Sequence, residues 1–186
     1  MSNTVLDPKL TGTYVLDAAH SRLGFSARHA MVTKVRGQFK EFEGTGFLDF
    51  DEPARSTASV TIQVASVDTG QEQRDGHLRT NDFFDAPTYP TITFTSTGVE
   101  KVDDENYKLT GDLTIKDVTK PITIDFEFTG SSLDPMGNNR VGFEGKTVVQ
   151  RKEWGINFNA ALETGGVLVS EKVTLEFDIS AIRQDA

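Results

Sequence analysis

Three histidines, His20, His29 and His77, are the side chains of this sequence best suited to chemistry near neutral pH. Imidazoles bind zinc when the ligands follow one another at short spacing or when a carboxylate completes the set. Here the histidines are separated by 9 and 48 residues, so their spacing gives no indication of a metal site. Two other interpretations stay open: hydrogen bonding at the end of a barrel, and contact with the polar head of a ligand.

Two arginines form a second group of candidates, because they stand out in a chain with a net charge of −9. Arg74 is followed by Asp75 and His77 in a segment that breaks the surrounding alternation of apolar and polar residues. The Arg74–Asp75 pair either fixes this segment to neighbouring strands, or Arg74 or Arg28 faces a phosphate or quinone oxygen at a pocket mouth. Arginine suits the second role because its fork of donors matches phosphate oxygens.

The sequence contains no motif of a known catalytic nucleophile, nucleotide loop or zinc protease helix. It has no cysteine, which excludes thiolate ligands, cysteine nucleophiles and disulfides. The acidic charge disfavours nucleic acid as a partner. We therefore predict a protein that is not an enzyme and has no cofactor, no metal and no nucleic-acid partner.

The elements that would position these residues are predicted to be strands. Apolar and polar residues alternate cleanly over residues 108–116, 121–129 and 172–180, which predicts strands with one buried face. Weaker patterns predict further strands at 13–17, 22–28, 34–42, 46–49, 59–65, 91–96, 140–151 and 167–169. Turn residues separate them at 43–46, 103–106, 134–137 and 164–166. Helix is expected only at 71–78, with weaker indications at 30–33 and 81–84. About eight antiparallel strands predict a closed barrel or a sandwich.

Small residues fall where the alternation predicts interior side chains, namely Gly37, Gly111, Gly145 and Ala27. Either the glycines mark bulges where the sheet coils, or small residues beside large ones leave a channel. A barrel of this size either fills itself with side chains or holds one small ligand. The sequence pattern is compatible with both outcomes.

Several short segments of the sequence follow one another in a characteristic order and spacing: YVLDAAHS (14–21), Arg28-His29, VRGQF (35–39), RDGHL (74–78), DFFD (82–85), GDLTI (111–115) and VTKP (118–121), then Arg151 and Gly155. They carry a resemblance, over about residues 12–182, to the YceI family, also called the lipocalin-like, polyisoprenoid-binding family. It implies an all-β fold: an extended eight-stranded antiparallel lipocalin-like barrel with a short helical element around residues 71–84. Two positions depart from the family, Tyr14 for the usual tryptophan and Asp117 for the usual glycine. We expect the second to alter only a turn.

The resemblance implies a long apolar pocket that carries or sequesters a long-chain lipid of isoprenoid type. We expect its lining to comprise Phe25, Phe39, Phe94, Leu113, Ile115, Phe126, Phe128 and Phe143. Phe83 and Phe84 are expected to close one end, and the head-group candidates are His20, Arg28, His29, Arg74 and His77. Two rivals are an enzyme acting on such a lipid and a stress-response module with a filled barrel.

Further expectations concern organisation and location. Residues 1–11 are predicted to be a flexible arm and residues 12–186 a single domain. No basic segment followed by an apolar one indicates a secretory signal, and no run is long enough to span a membrane. We therefore expect a cytoplasmic protein without stable membrane insertion, and the resemblance suggests a homodimer.

Overall fold

A computed structural model describes residues 10–159, 162 and 168–184. Its eleven strands are β1 (Gly12–Leu16), β2 (Arg22–His29), β3 (Thr33–Phe39), β4 (Phe42–Leu48), β5 (Thr57–Gln63), β6 (Val67–Asp68), β7 (Thr91–Lys101), β8 (Asn106–Ile115), β9 (Val118–Leu133), β10 (Asn139–Gln150) and β11 (Lys172–Arg183). One α-helix, α1, spans Glu72–Leu78. Short 3-10 turns occupy Ala18–His20, Pro53–Arg55, Val64–Ser66 and Arg151–Trp154.

The strands form one closed antiparallel barrel. β1 with β2, β3 with β4, and β5 with β6 each follow one another after a short interruption, and each pair acts as one composite strand. Counted this way the barrel has eight strands, each paired with its neighbour in sequence. β11 closes the ring by pairing with both β1 and β2. The predicted eight-stranded barrel is confirmed, and the sandwich alternative is wrong.

Two boundaries in the first half of the chain differ from the prediction. The strand predicted at 34–42 is divided, because β3 ends at Phe39 and β4 begins at Phe42. The turn predicted at 43–46 is wrong, since these residues lie inside β4 and pair with β5. Gly44 and Gly46 are residue types typical of turns, but in the barrel they line the inner wall as positions without a side chain. The predicted turns at 103–106 and 134–137 do connect strands, whereas 164–166 lies outside the described residues.

The helical prediction holds only for α1. Residues 30–33 form the tip of the β2–β3 hairpin, where Ala30 and Met31 have φ of 51° and 68°, so they are not helical. Residues 81–84 form turns instead of a helix. Of the predicted strand at 167–169, Val169 makes an isolated bridge with His29.

Residues 69–90 connect β6 to β7 and cover one end of the barrel; we call this segment the lid. Arg74 and Asp75 both hold Thr69 at its start. The Thr69 hydroxyl donates to the Asp75 carboxylate (2.6 Å) and accepts from Arg74 Nε (2.7 Å). Arg79 Nε donates to the carbonyl of Ala65 (3.0 Å) and thereby fastens the lid to the rim. Arg74 and Asp75 therefore form hydrogen bonds within the lid, to the residue that directly follows β6, and contact of Arg74 with a ligand stays a prediction.

Two groups of buried residues fill the two ends of the barrel. The group at the lid end includes Val64, Val67, Ile92, Leu113 and Trp154. The group at the far end consists of Tyr14, Phe50, Tyr107, Phe128, Val141 and Ala181. The interior between them is incompletely filled, and this space is the candidate site.

The predicted arm at 1–11 lies outside the described residues except for Leu10 and Thr11. Leu10 packs against the far-end group, and its carbonyl accepts a hydrogen bond from the Tyr14 hydroxyl (2.5 Å). In the described part of the chain, no helix has the length and apolar character needed to cross a membrane.

Candidate functional site

A cavity of about 350 Å³ runs through the inside of the barrel from the lid to the opposite end. Its wall contains Leu78 and Phe84 of the lid at one end and Asp49 and Tyr107 at the other. A volume of this size falls within the range of small-molecule sites, about 300–1,000 Å³. The stress-response alternative required a barrel filled by its own side chains, so the cavity argues against it.

The wall is overwhelmingly apolar because alternate residues of every strand point inward. Among the described residues, only six lining residues outside the aromatic class carry polar side chains: Thr45, Asp49, Ser56, Thr57, Ser59 and Arg151. The first five belong to β4, β5 and the connection between them, which lies at the end away from the lid. The middle of the cavity therefore offers contacts for hydrocarbon and few hydrogen bonds.

Nine of the ten apolar residues that the sequence nominates lie on this wall: Phe25, Phe39, Phe83, Phe84, Phe94, Leu113, Ile115, Phe126 and Phe143. The exception is Phe128, which is buried beside the cavity between Phe50 (5.5 Å between ring centroids) and Phe143 (5.3 Å). Phe128 shares the inward face of β9 but is used to pack the far end. Contact between the nine residues and a ligand stays a prediction.

Three of the inward small residues have a role that neither sequence interpretation anticipated. A Cβ atom added at Gly37 would lie 2.5 Å from the ring of Phe25, and one at Gly145 would lie 2.5 Å from the ring of Phe126. At Gly111 the added atom would collide with the ring of Phe94. Each glycine therefore provides space for a phenylalanine on a neighbouring strand. A side chain at any of the three positions would push the ring away from the wall, toward the interior of the barrel.

The underside of the lid supplies the closed end of the cavity. Leu78, Phe83 and Phe84 line it, and the Phe84 ring meets Phe39 of β3 edge to face (5.7 Å). On the outer side of Phe83, His77 and Phe158 complete a cluster of three rings with centroids 5.0–5.1 Å apart. The placement of Phe83 and Phe84 agrees with the predicted closure of one end.

The five polar residues nominated for head-group contact lie away from the cavity wall. His20 is exposed, and its Nδ1 lies 2.7 Å from Asp17 Oδ2. His29 is exposed at the end of β2. Arg28 borders a separate, more open groove that also includes Lys34.

Arg74 and His77 are occupied within the lid itself. The guanidinium of Arg74 donates to the hydroxyl and to the carbonyl of Thr69 (2.7 and 2.8 Å). His77 Nε2 lies 2.8 Å from Asp82 Oδ2. The structure therefore does not bring the five polar candidates together. In the described residues, no three His, Asp or Glu side chains are grouped to hold a metal ion.

Sequence reasoning missed two polar residues at the lid end. Trp154 is buried, lines the cavity, and donates its Nε1–H to the Leu113 carbonyl (2.9 Å). Arg151 is also buried and lines the cavity, and it donates to the carbonyls of Ser170, Ile156 and Val169. Burial lowers the pKa of the Arg151 guanidinium. The sequence contains one indication of this turn, namely Gly155. It has a φ of 78° and ends the 3-10 turn that carries Arg151 and Trp154.

A third missed residue, Tyr107, lines the far end of the cavity and is only 8% exposed. Burial, followed by the nearby carboxylates of Asp104 and Asp103, raises its pKa to about 12. Extending the predicted strand at 108–116 by one residue would have placed Tyr107 on the inward face with Leu109 and Leu113.

Comparison with known proteins identifies the family to which this chain belongs. The family model described as a YceI-like domain matches residues 14–181. A UPF0312 protein of Staphylococcus aureus (strain USA300) is 40% identical over 164 residues, which cover 88% of this chain and 93% of the relative. A UPF0312 protein of Photorhabdus laumondii is 37% identical over 177 residues, covering 94% and 88%.

Solved structures agree with the barrel. BcnA of Burkholderia cenocepacia is 26% identical with a TM-score of 0.78, covering 89% of this chain and 98% of that one. A YceI protein of Campylobacter jejuni is 32% identical with a TM-score of 0.74, covering 85% and 90%. A polyisoprenoid binding domain from Saccharophagus degradans, implicated in plant cell wall breakdown, shares the fold at 17% identity and a TM-score of 0.67, covering 92% and 98%.

Proposed function

Because this chain belongs to the YceI-like domain family, we propose that it binds a long-chain apolar lipid of isoprenoid type in the barrel cavity and carries or sequesters it. The observation that carries this proposal is the cavity itself: about 350 Å³ of space with an almost wholly apolar wall. The polyisoprenoid binding domain from Saccharophagus degradans, which has the same fold, supports the same ligand class.

Hydrocarbon burial supplies the affinity. Each buried CH₂ contributes about 0.8 kcal/mol, so a five-carbon unit contributes about 3 kcal/mol after small losses. Several such units offset the association and ordering costs of binding. Apolar contacts discriminate weakly between tails, so cavity length and the polar groups at its ends set the selectivity.

Binding without catalysis fits the arrangement of polar groups better than an enzyme does. The histidines and the Arg74–Asp75 pair, which an enzyme acting on the lipid would use, lie outside the cavity wall. A cytoplasmic location and a homodimer stay predictions of the sequence and the resemblance.

The proposal is tested by extracting freshly purified protein with organic solvent and identifying lipids by mass spectrometry, alongside native mass spectrometry of the complex. Val60→Phe places a larger side chain on the cavity wall, whereas Val148→Phe makes the same change at a position on β10 that is 58% exposed. We expect a long-chain lipid with the unaltered protein and with Val148→Phe, and much less with Val60→Phe. Equal lipid content in the two folded variants, or no uptake of added prenyl lipid by the unaltered protein, would contradict the proposal.

A further inference from the structure

The β2–β3 hairpin carries a positive charge that the rest of the chain does not share, and we call it the cationic hairpin. Residues 18–40 contain five of the 19 Lys and Arg residues and none of the 28 Asp and Glu residues. Two of these five cations, at the base of the hairpin, are paired with carboxylates. The three nearer the tip are exposed and form no ion pair with any described residue: Arg28, Lys34 and Arg36.

The three unpaired cations share the outer face of the barrel. Ala27 lines the cavity, so Arg28, the next residue of β2, points outward. Lys34 is paired with Arg28 across the hairpin, and Arg36 follows two residues later, so both lie on the same face. Like charges directly opposite one another destabilise a sheet. The stability of the barrel therefore does not account for the Arg28–Lys34 pair.

A groove on this face extends the positive charge to β11. Arg28, Lys34 and Lys172 all border it. The carboxylate among its described lining residues belongs to Glu171, which lies 2.5 Å from the Nζ atom of Lys152. The barrel itself therefore leaves the cations of the groove without neutralising partners, and an anion outside the protein can approach them.

The tip of the cationic hairpin is apolar and exposed. Met31 is 58% exposed and Val32 is 76% exposed. Ala30 and Met31 have φ of 51° and 68°, in a region that side chains rarely adopt and where hairpin turns favour asparagine or glycine. A turn chosen only for stability would not place a methionine there. The turn instead presents apolar side chains outward, between the cations of the two flanking strands.

The tip of the hairpin lies at the lid end of the barrel. The Ala30 N–H donates to the Leu168 carbonyl (2.7 Å), and His29 forms a bridge with Val169. The carbonyl of Val169 also accepts a hydrogen bond from Arg151, which lines the lid end of the cavity. A surface that the tip contacts is therefore close to the lid.

The opposite end of the barrel also exposes apolar residues, but in an acidic setting. They lie at the β7–β8 and β9–β10 connections: Val102, Leu133 and Met136. Carboxylates adjoin them in the sequence, namely Asp103, Asp104, Glu105 and Asp134. The two ends therefore differ in charge, and an anionic surface attracts the lid end.

We propose that the cationic hairpin docks the protein reversibly on an anionic lipid bilayer. Met31 and Val32 enter the interface between head groups and acyl chains, while the unpaired cations contact the head groups. A nucleic acid would match the cations alone, whereas a bilayer matches both the cations and the apolar tip. Docking in this orientation brings the lid, which closes the cavity, to the surface from which a water-insoluble ligand is taken up. This last step rests on the proposed function, whereas docking itself does not.

The net charge of −9 does not prevent this contact, because electrostatic forces in salt solution are short in range. The Debye length is about 8 Å at physiological ionic strength. The ten residues of β8 extend over about 30 Å along the strand, so the acidic end lies several Debye lengths from a surface at the lid end. The lid also carries carboxylates, and two of them are engaged within it, Asp75 with Thr69 and Asp82 with His77.

Vesicle flotation tests the docking directly. The protein is mixed with vesicles of phosphatidylcholine, or of phosphatidylcholine with about 30% phosphatidylglycerol, neither of which contains an isoprenoid. We expect the protein to float only with the anionic vesicles at about 0.1 M NaCl. It should be released at about 1 M NaCl, because the Debye length falls from about 10 Å to about 3 Å.

Two double variants with the same change in net charge separate the hairpin from the charge of the whole protein. Arg28→Gln/Lys34→Gln should weaken binding to anionic vesicles about 25-fold, since each cation near such a surface contributes a factor of about five. Lys108→Gln/Lys146→Gln removes exposed cations of β8 and β10 and should change binding by less than about twofold. Thermal unfolding checks folding, and the hairpin variant should unfold no lower than the unaltered protein because it removes two opposed like charges.

A fluorescent label tests which end of the barrel meets the bilayer. The chain has no cysteine, so a single introduced cysteine can carry an environment-sensitive fluorophore. We expect the emission of a label at Val32→Cys to rise when anionic vesicles are added, because the tip enters an apolar region. A label at Met136→Cys, a position at the other end that is 86% exposed, should not respond.

Four results would overturn the inference. Equal weakening by the two double variants would show that overall charge governs binding. A response of the label at position 136 alone would assign docking to the acidic end. Binding of single-stranded RNA through the hairpin cations, with no response of the label at position 32 to vesicles, would replace the bilayer by a polyanion. Failure of the protein to float would remove this inference and leave lipid binding in place, because extraction of bound lipid tests that function without vesicles.

Discussion

The space above Gly145 is the feature of the barrel whose alteration gives the sharpest prediction. In Gly145→Ala, the new methyl group would lie 2.5 Å from Cδ1 and 2.6 Å from Cε1 of Phe126. Carbon atoms in contact settle at about 3.5–4.0 Å, so the ring has to move by about 1 Å. The carbonyl of Asp125 lies 3.0 Å away on the backbone and does not yield easily. The ring therefore moves toward the cavity that it lines.

Two effects follow from this displacement. Overpacking of a core costs about 1–3 kcal/mol, and because the cavity absorbs part of the shift we expect about 1–2 kcal/mol. For a domain of this size that lowers the melting temperature by about 2–8 °C. The displaced ring also excludes part of the lipid tail, and each excluded CH₂ weakens binding about fourfold.

The assay combines thermal unfolding with titration of geranylgeraniol followed by Trp154 fluorescence. Gly98→Ala is the control, because an atom added there has no neighbour within 4 Å. Phe126→Leu shortens the opposing side chain, so Gly145→Ala should cost less in that background than alone. Two results would contradict this reasoning. One is that Gly145→Ala changes the melting temperature and the lipid affinity no more than Gly98→Ala does. The other is that Gly145→Ala destabilises the unaltered protein and the Phe126→Leu variant equally, which would mean that Gly145 does not provide space for the Phe126 ring.

Two further predictions concern the turns. Asp117, with a φ of 63°, occupies the second position of the β8–β9 hairpin turn, where glycine is favoured. We therefore expect Asp117→Gly to stabilise the fold by up to about 1 kcal/mol without changing lipid affinity. A lower melting temperature of the variant would refute this. The backbone N–H of Asn138 and the guanidinium of Arg140 lower the pKa of Asp134 to about 2. In the unfolded chain the pKa of Asp134 is about 3.9, so as the pH falls the unfolded chain binds a proton at this carboxylate before the folded protein does. The free energy of unfolding therefore decreases as the pH drops from about 4 toward about 2. Asp134→Asn should flatten the dependence of melting temperature on pH in this window, and equal slopes for the two proteins would contradict the assignment.

The alternation of apolar residues predicted the barrel and most of its wall because strand geometry alone decides which side chains face inward. Ile122 and Ile124 show this clearly, since both are buried on β9 at positions two residues apart. The division of the predicted strand at 34–42 was not predictable in the same way. Neither glycine nor proline marks the break at Lys40 and Glu41. The break is defined by the pairing, because β3 pairs with the preceding strand β2 whereas β4 pairs with β1, which lies further back in the sequence.

The polar candidates lie away from the cavity wall, and residue types alone could not show this. Arg74 was nominated because a guanidinium suits a phosphate, but its partners are the hydroxyl and carbonyl of Thr69. Backbone carbonyls have no signature in the sequence, so the competition between a ligand and the protein's own main chain cannot be settled from residue types. Tyr107 was overlooked for the complementary reason: nothing in the sequence indicates that a hydroxyl will lack a partner.

The positions of hydrogen-bonding groups along the cavity determine what kind of selectivity the barrel can have. Its middle presents phenylalanine and aliphatic side chains, where adding or removing one methylene changes binding by only about 1–3 kcal/mol. The polar side chains at its two ends add little to this discrimination, because Arg151 is bonded to backbone carbonyls and the Tyr107 hydroxyl is buried beside the wall. We therefore expect the length of the cavity, more than the chemistry of the tail, to limit which apolar ligands bind.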